Sequence, residues 1–126
     1  MLAQRAANAP NMAYEVVFAA DARRDFTLIF EFLVESYVVF GDDTETAIMR
    51  AEARVQSIRE DITRLGQLPY RGTLHDDVLP GLRHLTIGQA IAWFDIDEDV
   101  KRVRVLAVFF GGQDHNRRML TRLLGE

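Results

Sequence analysis

Apolar and polar positions change their spacing several times along the chain, and each change marks an element. Tyr14 to Phe18 is a short apolar, β-branched run, which predicts a strand. From Asp21, a residue suited to capping a helix, Phe26, Ile29, Phe30, Leu33 and Tyr37 recur at steps of three or four. Arg24, Asp25, Glu31 and Glu35 fall largely on other faces of that helix. Gly41 with Asp42 and Asp43 ends it. Asp43 or Thr44 then caps a second helix with the cleanest periodicity in the chain, carried by Ile48, Ala51, Val55, Ile58, Ile62 and Leu65. So narrow a stripe needs a helix beside it, and the short link makes an antiparallel pair the simplest arrangement, with a solvated coiled-coil arm as the alternative.

Gly66 breaks the second helix, and a loop punctuated by Pro69, Gly72 and Pro80 runs on to Gly81. Three strand-like runs follow, Leu82 to Ile87, Ala90 to Asp95 and Arg102 to Phe110. Gly88-Gln89 and an acidic turn from Asp97 to Lys101 separate them, which predicts an antiparallel meander. His115 to Leu124 is amphipathic and reads as a terminal helix. The expected fold is α+β: a two-layer domain with an N-terminal strand, an antiparallel helix pair, a three-stranded antiparallel meander and a short C-terminal helix. Residues 1–12 read as an extension to one domain spanning residues 13–126.

Strict alternation along the last two strands sorts their side chains by face. Ile91 and Trp93 oppose Ala90, Ala92 and Phe94, and Val103, Val105, Ala107 and Phe109 oppose Leu106, Val108 and Phe110. Both faces are apolar, more than a short terminal helix and a helix pair would cover. Trp93, Phe94, Val108 and Phe110 are therefore expected to form a partner-binding surface, with burial by the terminal helix or in a homodimer as the plainer alternative.

Composition narrows the setting. Hydrophobic residues at 48% and charged residues at 27% suit a folded single domain. A net charge of −4 provides no general positive field, so any contact with nucleic acid has to be local. With no cysteine, disulfides and thiolate metal sites are excluded, which fits a reducing compartment, and the cytoplasm is the expected location. No apolar run matches a signal peptide or a membrane span.

Candidate chemistry gathers at two places. Arg83 and His84 open a strand with Arg71 and His75 close by in sequence, residue types that bind phosphate and move protons, although structural roles, Arg83 ion-paired on the sheet and His84 half-buried, are the stronger reading. Gly111-Gly112-Gln113-Asp114-His115 joins a strand to a helix, with Asp114 placed to cap it and Arg117 and Arg118 forming a local basic patch. Asp95 to Asp99 opens like a calcium loop, but Val100 stands where glycine is needed and Leu106 where the bidentate glutamate is needed. No metal and no cofactor is expected.

Two stretches, Leu79-Pro80-Gly81-Leu82-Arg83-His84-Leu85 with Ile87-Gly88, and Val103 to Phe110 with the following Gly-Gly-Gln-Asp-His, resemble the RelE/ParE superfamily of bacterial toxins. The resemblance implies the toxin of a type II toxin–antitoxin, or plasmid stabilisation, module. Such a toxin inhibits growth and is neutralised in a hetero-oligomer by a cognate antitoxin encoded by an adjacent gene. Members either poison DNA gyrase or cut messenger RNA on the ribosome. Arg83 matches the family's strand arginine, but there is no tyrosine after Tyr70, where the RNA-cutting branch carries one. That departure favours gyrase as the target, contacted through Arg71, Arg83, His84, Gln113, Asp114, His115 and Arg117. A ribosome-dependent endoribonuclease using Arg83, His115 and Arg118 is the alternative, as is a non-toxic member that only binds its partner.

Overall fold

A computed structural model describes residues 14–111 and 114–125 of the chain. The expected extension and Gln113 lie outside the described residues. Strand β1 (Glu15–Phe18) leads into helix α1 (Ala20–Val39), which is joined by a tight turn to helix α2 (Thr44–Thr63). A short 3-10 turn (Arg64–Gly66) precedes β2 (Thr73–Leu74), β3 (Arg83–Ile87), β4 (Ala90–Asp97), β5 (Arg102–Phe110) and helix α3 (His115–Leu123).

The two long helices form the antiparallel pair that their stripes required. The Arg59 guanidinium near the end of α2 lies 4.3 Å from the ring centre of Phe26 near the start of α1, and Arg50 near the start of α2 lies 4.0 Å from the ring of Tyr37 near the end of α1. Asp43 caps α2, its carboxylate accepting from the Thr46 amide at 2.7 Å. Asp21, by contrast, is no cap. Helix α1 starts one residue earlier, at Ala20, and Asp21 sits in its first turn, paired with Arg24 at 2.9 Å.

The sheet has five strands in the order β1-β5-β4-β3-β2. The meander β3-β4-β5 is antiparallel, and β1 pairs in parallel with β5 at one edge. At the other edge, β2 was not visible in the sequence. Its two residues pair Thr73 with His84 and Leu74 with Arg83. Gly72, just before it, has a positive φ of 84°, and a Cβ there would collide with the His84 carbonyl, so only glycine fits against β3.

One irregularity overturns the expected assignment of faces. Trp93 pairs with Ala107, but the next residue, Phe94, pairs with Val105, leaving Leu106 as a bulge on β5. One extra residue reverses the alternation beyond it. Val103 and Val105 therefore share the helix-covered face with Val108, while Ala107 and Phe109 join Ile91, Trp93, Leu82 and Met119 in a second cluster beneath α3. Both faces are thus covered, one by α1 and α2 and the other by α3. Trp93, Phe94 and Val108, expected at an open surface, are 2%, 0% and 1% exposed. Only Phe110 of that group reaches solvent in part.

Candidate functional site

Alternation along β3 separates the charged residues that sequence proximity had grouped. Arg83 pairs across the sheet with Phe94, and Leu85 with Ala92, all on the side facing the helix pair. His84 pairs with Trp93 on the opposite side. Two clusters result.

On the first side, the Arg83 guanidinium stands 5.3 Å from the ring centre of Tyr70 and makes a long 3.5 Å contact with the backbone carbonyl of Arg71. Tyr70 and Tyr14 meet edge to face, and both hydroxyls donate to Glu98 in the turn between β4 and β5. Two phenol donors hold the Glu98 carboxylate down to about 2. The same bond pushes Tyr70 up to about 12, because an ionised phenol has no proton to donate to Glu98. Glu98 also pairs with Lys101 at 3.3 Å, while Asp95 of β4 pairs with Arg104 at 2.8 Å, so both carboxylates have internal partners.

On the other side all three histidines of the chain come together around its single tryptophan. The loop after β2 carries His75, whose Nε2 lies 2.7 Å from Nδ1 of His84, with the two rings stacked at 4.9 Å. His115, the first residue of α3, meets His84 edge to face at 4.7 Å. Trp93 lies under them at 4.8, 4.9 and 5.5 Å from the rings of His75, His84 and His115. Burial is the main cause that lowers the affinity of His84 and His115 for protons, and the neighbouring imidazoles add to it. Two buried nitrogens, Nε1 of Trp93 and Nδ1 of His115, have no hydrogen-bond partner among the described residues. A cavity of about 200 Å³ adjoins the cluster, lined by His75, Val78, Trp93, Asn116, Met119 and Leu120. The rings stack instead of converging, and among the described residues no group of three or more His, Cys, Asp or Glu side chains is placed to hold a metal ion.

Helix α3 is held at its far end by a buried ion pair. Arg122 donates to both oxygens of Asp25 at 2.8 and 3.0 Å, and Asp25, 3% exposed in α1, also accepts from the Val108 amide at 2.9 Å. Sequence spacing alone had placed Asp25 on a polar face of α1 and left Arg122 unremarked. The pairing joins residues far apart in the chain, and only a helical arginine in the last segment hinted at it. Arg118 lies against the Phe109 ring at 4.2 Å, and Arg117 reaches back to Asp114 at 3.6 Å. Asp114 itself has a left-handed φ of 55° and makes no side-chain capping bond, so the expected cap is absent. Arg24, Arg117, Arg118 and Arg122 together line an open cavity of about 640 Å³ with Asp21, Phe109, Thr121 and Gly125.

The candidate residues therefore split in space. Arg71 and Arg83 lie at the Tyr70 side of the β3 edge, His84 and His115 meet under the start of α3, and Arg117 and Arg118 line the cavity beside that helix. No family model matches the chain and no curated protein matches it. Solved structures do. A chain of the chromosomal ParDE toxin–antitoxin system of P. aeruginosa superposes with a TM-score of 0.58 at 23% identity, covering 79% of this chain and 97% of that one. The chain shares the fold of that protein. A chain of the toxin–antitoxin complex RelBE2 from Mycobacterium tuberculosis matches with a TM-score of 0.53 at 20% identity, covering 77% of this chain and 90% of that one. The shared fold therefore spans most of the chain, and both neighbours come from toxin–antitoxin systems. Among the described residues no helix is long and apolar enough to cross a membrane.

Proposed function

We propose that the chain is the toxin of a type II toxin–antitoxin pair and that it arrests growth by gripping a protein target, DNA gyrase in the favoured reading, instead of cutting RNA. The observation that carries this choice is the separation of Arg83 from His115 by the sheet itself. Cleavage by an internal ribose hydroxyl needs a cation at the phosphate and a proton-transfer group within reach of the same atoms. Arg83 is engaged with Tyr70 and Arg71 on one face, His115 is packed on Trp93 on the other, and no tyrosine follows Tyr70. The residues left for a binding role are Arg71 at the β3 edge and Asp114, Arg117 and Arg118 around the start of α3.

Induced expression of the chain without its partner is expected to stop growth and, with purified gyrase, to accumulate cleaved DNA complexes. A toxic preparation that leaves gyrase unaffected and instead cleaves ribosome-bound message, with the cleavage lost in His115→Ala, would establish the ribonuclease alternative. The paired His75 and His84 imidazoles next to His115 are the feature that favours it.

A cognate antitoxin is the expected partner. With Trp93, Phe94 and Val108 inside the fold, the apolar surface best suited to it is the groove at the border of α1 and β5. Phe32 and Leu28 are about half exposed, Phe32 packs on Phe110 at 6.0 Å, and these residues with Ile29, Val108 and Arg118 line a groove of about 200 Å³. An amphipathic helix laid there would bury its apolar side chains between α1 and β5.

A further inference from the structure

We propose that His75, His84 and His115 form a proton-operated latch, which holds the first turn of α3 on the Trp93 face while the imidazoles are neutral and releases it on mild acidification. This inference is independent of the toxin reading, since it rests on the packing of three rings and one helix.

Its geometry places three elements under one control. His75 comes from the loop after β2, His84 from β3 and His115 from α3, and all three rings lie against the indole of Trp93 in β4. His75 and His84 share one hydrogen bond at 2.7 Å, which neutral rings make by one donating to the other. Two protonated rings cannot make it, because both nitrogens would be donors. The charged groups around the cluster do not offset added positive charge. Among the described residues Asp114 is the one carboxylate that favours a protonated His115, and it already faces Arg117 at 3.6 Å. Asp76 spends an oxygen on the Gly81 amide, Asp95 is taken by Arg104, and Asp25 is taken by Arg122. Arg118 and Arg122 of α3 add positive charge above the Phe109 ring. His115 also opens its helix, where the unpaired amides of the first turn already present partial positive charge.

The sign follows from burial. His84 and His115 bind protons less readily in place than in water, so the closed arrangement is stable above the ordinary histidine value of about 6.5 and weakens as the pH falls below it. Release is confined to one end, because Asp25 and Arg122 clamp the last turn of α3. The helix would hinge away from Trp93 without leaving the fold.

Trp93 is the sole tryptophan, so its emission reads the latch directly. Emission wavelength and iodide quenching would be followed on the full chain from pH 8 to pH 5, with far-ultraviolet circular dichroism alongside. The expected result is a red shift and increased quenching that begin below about pH 6.5 while the dichroism is retained. In His84→Asn and His115→Asn the transition is expected to shrink or move. Unchanged emission across the range would overturn the proposal, as would a transition that coincides with loss of dichroism or one that persists unaltered in both variants. Proton resonances of the wild-type imidazole rings keep the test decisive if a variant does not fold. His84 and His115 must titrate together with the Trp93 indole shift, and titration of either without that shift would equally refute the latch.

Discussion

Asp25 shows how much one side chain can decide. It is a carboxylate in the core, and it is tolerable there because Arg122 meets both of its oxygens and the Val108 amide takes a further bond. Asp25→Ala is expected to cost about 3 kcal/mol in urea unfolding, at the low end for a broken buried pair because the Arg122 side chain is 28% exposed and regains water. Arg122→Ala should cost at least as much, since the orphaned carboxylate has no such route. Glu98 poses a different question, being at the surface. If its bonds to Tyr14 and Tyr70 set their acidity, Glu98→Gln should bring the tyrosine titration, followed by ultraviolet absorbance, from about 12 back towards the ordinary 10.0. Stabilisation through Glu98 is present above its ordinary 4.5 and is lost as the pH falls towards about 2, whereas that through Tyr70 is present below 10.0 and is lost as the pH rises towards about 12.

Elements in this fold are held less by their own sequence than by what crosses them. Helix α3 is short, its first residue is preceded by a left-handed aspartate, and it has no capping side chain. Alone it would be marginal. Met119, buried on the Trp93 face, and the Asp25–Arg122 pair keep it in place. Strand β2 depends on Gly72 in the same way, because a side chain there meets the His84 carbonyl in space the backbone already fills. Gly72→Ala is expected to detach β2 from β3 and to raise hydrogen exchange at the His84 amide and its neighbours, with a loss of stability larger than the ~1 kcal/mol typical of a point substitution. Protection left intact at His84 would show that the edge pairing is dispensable.

At the scale of the whole molecule, coverage of both sheet faces moves the expected partner surface. Sheet residues are spent on the core, and the exposed apolar side chains that remain on α1 are the better candidates. Phe32→Arg should therefore abolish co-purification with the product of an adjacent small gene while leaving the fold intact by circular dichroism. Truncating Trp93, Phe94 or Val108 should instead destabilise the fold itself, with costs in the range of roughly 2–5 kcal/mol for large-to-small core changes.

Local patterns sufficed where the physics is local. Apolar spacing placed the helix pair because a helical stripe has one period and must be buried. Glycine, proline and acidic turns bounded the meander because they break strands wherever they occur, and the resemblance carried by Leu79 to Leu85, Ile87-Gly88 and Val103 to Phe110 pointed to the fold that the solved structures share. Arg83 and His115 were legible as chemically able residues, but not as residues on opposite faces. That depended on the β3–β4 register and on the face that α3 covers, while in β5 one bulged residue, Leu106, inverts the alternation that a strand pattern assumes. The grouping of His75, His84 and His115, like the pairing of Asp25 with Arg122, arises only when a loop, a strand and the last helix close on one sheet. Spacing along a chain carries no record of such contacts, because they are set by which elements pack together.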